Sequence, residues 1–291
     1  MPVMPGLPTL PAMKPTLRTA DGVALQLRAW PCHNARGCAV IAHGLGEHIG
    51  RYAHVAAHLN EGGWSVLGYD QRGHGRSEGR RGGLPGAEAL LRDLALVVDA
   101  ARESQAGPLV LLGHSLGGLL AARFVAEGIE AQPSAWQRGV DALVLSSPAL
   151  DTGMGPAQKA LLAVLGRLAP DLAVGNGLDP SGISRDPAVV AAYTADPLVH
   201  DRIAPRLARF LVDGGAFVQA RAARWRVPTL LLFAGSDRLV AAEGSRAFAA
   251  AAPRAVVTAR EFAPLFHEIF NEPEQADVFA VLQDWLATRF G

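Results

Sequence analysis

Pro108-Leu109-Val110-Leu111-Leu112-Gly113-His114-Ser115-Leu116-Gly117-Gly118-Leu119-Leu120-Ala121 decides the fold of this 291-residue chain. The unbroken apolar run from Leu109 to Leu112 reads as a strand buried on both faces, the kind found in parallel sheets. A helical pattern starts directly after Ser115. Between the two lies Gly113-x-Ser115-x-Gly117, a strand-to-helix turn too tight for side chains on its flanks. Such a turn pushes its central hydroxyl out at the end of a sheet. The following helix start faces that hydroxyl with free N–H groups and a positive dipole. This is the setting an acyl-transfer nucleophile needs. With 32 glycines in the chain the five-letter pattern is easily met by chance. Its place between a buried strand and a helix is what gives it meaning.

Working outward, strands and helices alternate on both sides. Residues 24–30 alternate apolar and polar, as in a strand exposed on one face. Residues 38–42 and 64–69 read as buried strands, with a helix over 51–60 between them. A long amphipathic helix is expected over 84–104 and another from Leu116 to about Gly128, followed by a strand over 142–147. The pattern then breaks. From 148 to 226 no buried strand is apparent, and residues 158–168, 187–193 and 205–224 read as helices. Alternation resumes with a strand over 229–234, a helix over 241–252, a strand over 255–262 and a closing helix over 273–290. The expected architecture is therefore α/β: a mostly parallel central sheet with helices on both faces. Residues 16–147 and 227–291 form its core, and 148–226 are an inserted helical segment.

The totals agree with one large domain. Hydrophobic residues make up 49% of the chain, enough for a sizeable core, and the zero net charge gives no reason to expect a nucleic-acid partner. Residues 1–15 carry five prolines and read as a disordered lead-in, without the basic start and apolar run of a signal peptide. No uncharged apolar stretch approaches the roughly 18 residues that span a bilayer. Cys32 and Cys38 flank an expected hairpin loop; two free thiols in a reducing compartment fit better than a disulfide. The default location is the cytoplasm. No metal-ligand spacing appears, and no cofactor is called for.

A serine hydroxyl needs a base, and the base needs an acid to orient it. In a parallel α/β sheet both belong at C-terminal strand ends. Asp237, in Gly235-Ser236-Asp237 just past the strand over 229–234, is the acid candidate. A turn or helix-cap aspartate is its plainer reading, and Glu243 and Glu261 are weaker alternatives inside regular elements. His267 follows the last strand and alone of nine histidines comes after Asp237. The order Ser, Asp, His is the one this kind of sheet uses. His43, His48, His74 and His114 also sit at strand ends and read as structural. His33, His54, His58 and His200 read as surface or helix residues. The buried strand over 38–42 runs into His43-Gly44-Leu45-Gly46-Glu47-His48. The N–H of Leu45 there and that of Leu116 are the candidate oxyanion donors.

Taken together, His43-Gly44-Leu45-Gly46-Glu47-His48, Gly68-Tyr69-Asp70-Gln71-Arg72-Gly73-His74-Gly75-Arg76-Ser77, Gly113-His114-Ser115-Leu116-Gly117-Gly118 and His267-Glu268-Ile269-Phe270-Asn271-Glu272 form an ordered set. The set resembles the monoacylglycerol lipase and lysophospholipase-like family of α/β-hydrolases, over about residue 16 to the end. The resemblance implies a serine hydrolase of carboxylic esters, acting on monoacylglycerols or lysophospholipids through Ser115, His267 and Asp237. It makes the inserted segment a cap over the site. It also implies a polar head-group pocket near the serine, to which Gly44, Glu47, Arg51 and Tyr193 are assigned. For Glu47 and Arg51 the plain alternative is a surface ion pair. Asp70 and His74 look like loop braces. The apolar residues of 160–168 could line an acyl tunnel or touch a membrane surface, and ordinary packing of the cap explains them too. Phe262-Ala263-Pro264-Leu265-Phe266 departs from the family, which often has a Gly-containing loop there.

Serine at position 115 excludes dehalogenases and epoxide hydrolases of this fold, which use an aspartate nucleophile. A short-chain carboxylesterase, a peptidase and a cofactor-free haloperoxidase share the triad and stay open. A non-catalytic binding protein of this fold would usually have lost one of these groups. The expected partner is a small lipid or ester, with transient membrane contact through the cap and no protein partner implied.

Overall fold

The computed structural model describes residues 15–291, so the proline-rich lead lies outside the described residues apart from Pro15. Eight strands form one sheet in the order β1-β2-β4-β3-β5-β6-β9-β10. They are β1 (Thr16–Arg18), β2 (Ala24–Trp30), β3 (Gly37–Ala42), β4 (Trp64–Tyr69), β5 (Leu109–His114), β6 (Ala142–Ser146), β9 (Thr229–Ala234) and β10 (Val257–Phe262). The pairs β1–β2 and β2–β4 are antiparallel, and all pairs from β4 to β10 are parallel.

Every residue of β3, β4, β5, β6 and β9 is buried, which explains their continuous apolar sequences. Alternate residues feed two cores. Val40, Leu111 and Leu231 pack with α2 (Ala89–Ser104), α3 (Leu116–Glu127), α6 (Pro205–Gln219) and α7 (Ala242–Ala251). Ile41, Val110 and Leu232 pack on the other face with α1 (Ala53–Glu61) and α8 (Gln275–Phe290). Each such leucine or valine contributes about 1.5–3 kcal/mol by leaving water.

Three local expectations change. Residues 32–38 do not form a hairpin, because β4 lies between β2 and β3; both cysteines are free. A non-local strand inserting between sequence neighbours leaves no local trace. The helix expected from Leu84 starts at Ala89. Pro85 and Gly86 favour a turn, and Leu84 fills the core from that loop. The helix expected over 205–224 ends at Gln219, and a separate 3₁₀ turn spans Ala222–Arg224.

Between β6 and β9 the chain forms α4 (Pro156–Leu168), α5 (Pro187–Ala195) and α6, with a two-residue antiparallel pairing of β7 (Val174–Gly175) and β8 (Arg202–Ile203). α6 belongs to the main core, while α4 buries only Leu162 and α5 buries nothing fully. Among the described residues no helix is long and apolar enough to cross a membrane.

Candidate active site

Ser115 stands between β5 and α3 with φ 55° and ψ −118°, a left-handed backbone that L-residues avoid. Packing imposes it. A Cβ on Gly113 would collide with the carbonyl oxygen of Gly117, and one on Gly117 would collide with those of Ala42 and His43. The elbow thus rests backbone against backbone on the end of β3. The Ser115 N–H donates to Ser146 O at 3.0 Å, and its carbonyl accepts from Leu119 N at 2.9 Å and Ala149 N at 3.0 Å. Both neighbouring strand ends therefore hold the turn.

The loop leaving β3 passes beside the serine: a Cβ on Gly44 would lie 3.3 Å from Ser115 Cβ. Leu45 and Leu116 both line the cavity with Ser115, and neither backbone N–H has an acceptor among the described residues. Two unpaired donors beside one hydroxyl are what an oxyanion requires.

The His267 Nδ1–H donates to Asp237 Oδ2 at 2.7 Å, so in the neutral ring Nε2 is the free acceptor. Asp237 Oδ1 accepts from Leu239 N at 2.9 Å and Val240 N at 3.1 Å. The aspartate is a turn residue and an imidazole orienter at once. Burial alone would push the His267 pKa down and that of Asp237 up. The mutual charge and hydrogen bond overcome this, so His267 is raised above, and Asp237 held below, its ordinary value. Of the histidines that shift, His267 alone moves up. His114, its ring centroid 4.7 Å from that of His267, is driven to about 3 by burial and then by the neighbouring His267. The divergent loop before His267 closes back on β9, where Ser236 N donates to Leu265 O at 3.2 Å and Leu265 is buried. His267 and Ser115 line the same cavity without a hydrogen bond between them.

That cavity holds about 390 Å³, within the small-molecule range. Leu45, Leu116, Met154, Ile183, Leu211 and Val240 give it an apolar wall. Gly44, Glu47 and Tyr193 line it as expected. Arg51 does not; it stands one layer behind, against a second, smaller pocket. Nor do Glu47 and Arg51 form a surface pair, since their side chains are 4% and 13% exposed. Arg51 Nη1 donates to Glu47 Oε2 at 2.6 Å, and both its terminal nitrogens donate to the Glu268 carboxylate at 2.6 Å. Glu47 Oε1 accepts from Gly44 N and from the Tyr52 hydroxyl, each at 2.6 Å. Burial would raise the Glu47 pKa, but the Arg51 charge beside it prevails and holds it at about 2. The Tyr193 ring covers the guanidinium of Arg51 at 4.8 Å.

Glu268 and Tyr52 were not foreseen as part of this network. Glu268 had a signal in its place next to His267; Tyr52 had none. His200, read as a surface residue, lines the cavity, and its ring lies 4.8 Å from that of His74. Burial, and then the nearby Arg81, bring His200 to about 4. Asp70 and His74 brace loops as expected: Asp70 accepts from Ile49 N and Arg76 N, and His74 bonds Arg72 O. None of the apolar residues in 160–168 lines the cavity.

Residues 33–274 match the hydrolase family described as serine aminopeptidase S33. The chain is 38% identical to a monoacylglycerol lipase of Mycolicibacterium smegmatis, over 92% of this chain and 94% of that one. It is 31% identical to the human monoglyceride lipase, over 94% and 90% respectively. The crystal structure of the Paleococcus ferrophilus monoacylglycerol lipase superposes with a TM-score of 0.80 at 35% identity, covering 91% of this chain and 99% of that one. The strand-to-helix elbow, the His–Asp pair at neighbouring strand ends and these likenesses agree, and the chain belongs to the monoacylglycerol lipase-like serine hydrolases of the α/β-hydrolase fold.

Proposed function

We propose that this protein hydrolyses monoacylglycerols through Ser115, His267 and Asp237. The His267–Asp237 hydrogen bond, at the rim of the cavity that Ser115 lines, carries the reading. Ser115 Oγ attacks the ester carbonyl carbon while His267 Nε2 takes its proton. The Leu45 and Leu116 N–H groups stabilise the oxyanion, and Asp237 the imidazolium. His267 then protonates the departing glycerol oxygen. Water, deprotonated by the same ring, releases the fatty acid and restores the serine.

Among the described residues no lysine or arginine lines the cavity, which favours a neutral alcohol over a phosphate-bearing head group. All four oxygens of Glu47 and Glu268 accept hydrogen bonds from Gly44, Arg51, Tyr52 or Asn271, so these two carboxylates are already engaged in the wall. Arg51 is held by the same two carboxylates and offers no free cation to a lysophospholipid phosphate. A short-chain carboxylesterase is the second reading, since the apolar wall does not fix chain length.

Residues 148–226 act as a cap in this scheme. Leu161, Val164, Leu165 and Leu168 are exposed on α4, and transient contact with the lipid surface that carries the substrate would cover them. The free thiols of Cys32 and Cys38 support a cytoplasmic location.

Ser115→Ala should lower monoacylglycerol hydrolysis by about 10⁴-fold or more with unchanged folding. Turnover close to that of the unaltered enzyme would refute the mechanism. A panel of monoacylglycerols, lysophospholipids, short p-nitrophenyl esters and aminoacyl amides separates the substrate classes.

A further inference from the structure

The loop from Gly44 to His48, which carries the Leu45 N–H, is anchored from two directions. On the core side, Gly44 N donates within the loop to Glu47 Oε1 at 2.6 Å, and the Glu47 carboxylate is held in turn by the Tyr52 hydroxyl and Arg51 Nη1, each at 2.6 Å. On the other side the contacts come from residues 193–200 of the inserted segment. His200 N donates to Gly46 O at 2.8 Å. His48 Nδ1 accepts from Gly50 N at 3.1 Å, so the ring proton is on Nε2, which donates to Asp196 Oδ2 at 2.8 Å. The second Asp196 oxygen accepts from Leu198 N at 2.8 Å, which fixes the carboxylate on the insert's own backbone. Gly46 has φ 79°, and a Cβ there would collide with the carbonyl oxygen of His200.

From these contacts we infer that Asp196 is a positioning residue for catalysis: through His48, and together with the His200–Gly46 hydrogen bond, the inserted segment holds Leu45 N–H at the oxyanion position. The inference rests on the assignment of Leu45 as an oxyanion donor. The residues on either side of Leu45 are held by different parts of the molecule, Gly44 by Tyr52 and Arg51 through the Glu47 carboxylate and Gly46 directly by the insert. Neither anchor alone fixes the peptide between them. An oxyanion donor stabilises only if it is aimed before charge develops. Loss of the insert's grip should therefore lower the rate of the chemical step more than substrate binding.

Asp196→Ala, Asp196→Asn, Gly46→Ala and Ser115→Ala test this with a soluble p-nitrophenyl ester. Binding of an alkyl trifluoromethyl ketone, whose hemiketal oxygen occupies the oxyanion position, is compared with that of the corresponding alcohol, which forms no adduct. Asp196→Ala should lower kcat by about 10–100-fold, a fraction of the loss when a whole donor is removed, with KM within about twofold. Ketone affinity should fall by a similar factor and alcohol affinity should hold. Asn has one acceptor oxygen for the two donors that Asp196 serves, so with that oxygen on His48 it should recover part of the kcat that Asp196→Ala loses. Gly46→Ala should reproduce the split from the loop's side, and it carries the test if Asp196→Ala does not fold. Unchanged kcat in Asp196→Ala and Gly46→Ala, or a loss confined to KM and alcohol binding, overturns the inference. Active Ser115→Ala would instead overturn the underlying hydrolase mechanism.

Discussion

The sheet and the inserted helices obey different rules. In β3, β5 and β9, which deliver the Gly44–His48 loop, Ser115 and Asp237, every residue is buried. In α4 and α5 one residue of 22 is buried, counting 13 in α4 and 9 in α5; α5 lines the cavity through Tyr193 and Thr194, and α4 does not. Groups that must meet within tenths of an ångström are mounted on elements packed on two faces. The inserted helices α4 and α5 are loosely packed, and polar contacts such as His48–Asp196 join the insert to the loop after β3. Tight packing therefore marks where backbone positions are fixed, and its absence marks where the chain can vary.

The largest expected effect lies on the sheet side. Asp237→Asn should reduce kcat by about 10⁴-fold while the thermal midpoint barely moves, because the imidazole loses its orienting partner and its proper tautomer. A small kcat effect would show that strand-end placement alone does not make the acid. Next, Leu231→Ala in β9 should cost about 3 kcal/mol in urea unfolding, since the residue is fully buried. The pH profile gives a third contrast. Because His267 is raised above about 6.5, kcat/KM should climb with pH through a midpoint above that value, as the ring loses its proton and becomes a base. Glu268→Gln removes a negative charge that helps hold that proton, so the midpoint should move to lower pH; a shift upward would reverse the assigned electrostatics. The smallest effect belongs to the insert. Leu168→Ser, at a position 78% exposed, should change stability by less than about 0.5 kcal/mol. It should slow hydrolysis of vesicle-borne monoacylglycerol while leaving soluble ester turnover alone. Equal loss on both substrates would argue that α4 does not meet lipid.

The same contrast explains what could be read from sequence. Buried parallel strands announce themselves as apolar runs, so the ends of β3, β5 and β9 were legible, and with them Ser115, Asp237 and Leu45. Pairing between distant segments was not. The Arg51–Glu268 clamp joins residues 217 apart, and the His48–Asp196 bond residues 148 apart. No local period encodes either. The insertion of β4 between β2 and β3 was hidden for the same reason. His200 looked like a surface residue because only the docking of the insert buries it.

The hydrogen bond from Ala149 N to the Ser115 carbonyl has a practical consequence for chimeras. The insert's first residues already hold the Ser115 backbone before any helix of the insert begins. A graft that exchanges the region at Pro148 would replace one of the supports of the strained turn along with the roof above it. Splicing after Leu150 would leave that support in place and let donor roofs be compared on an unaltered serine.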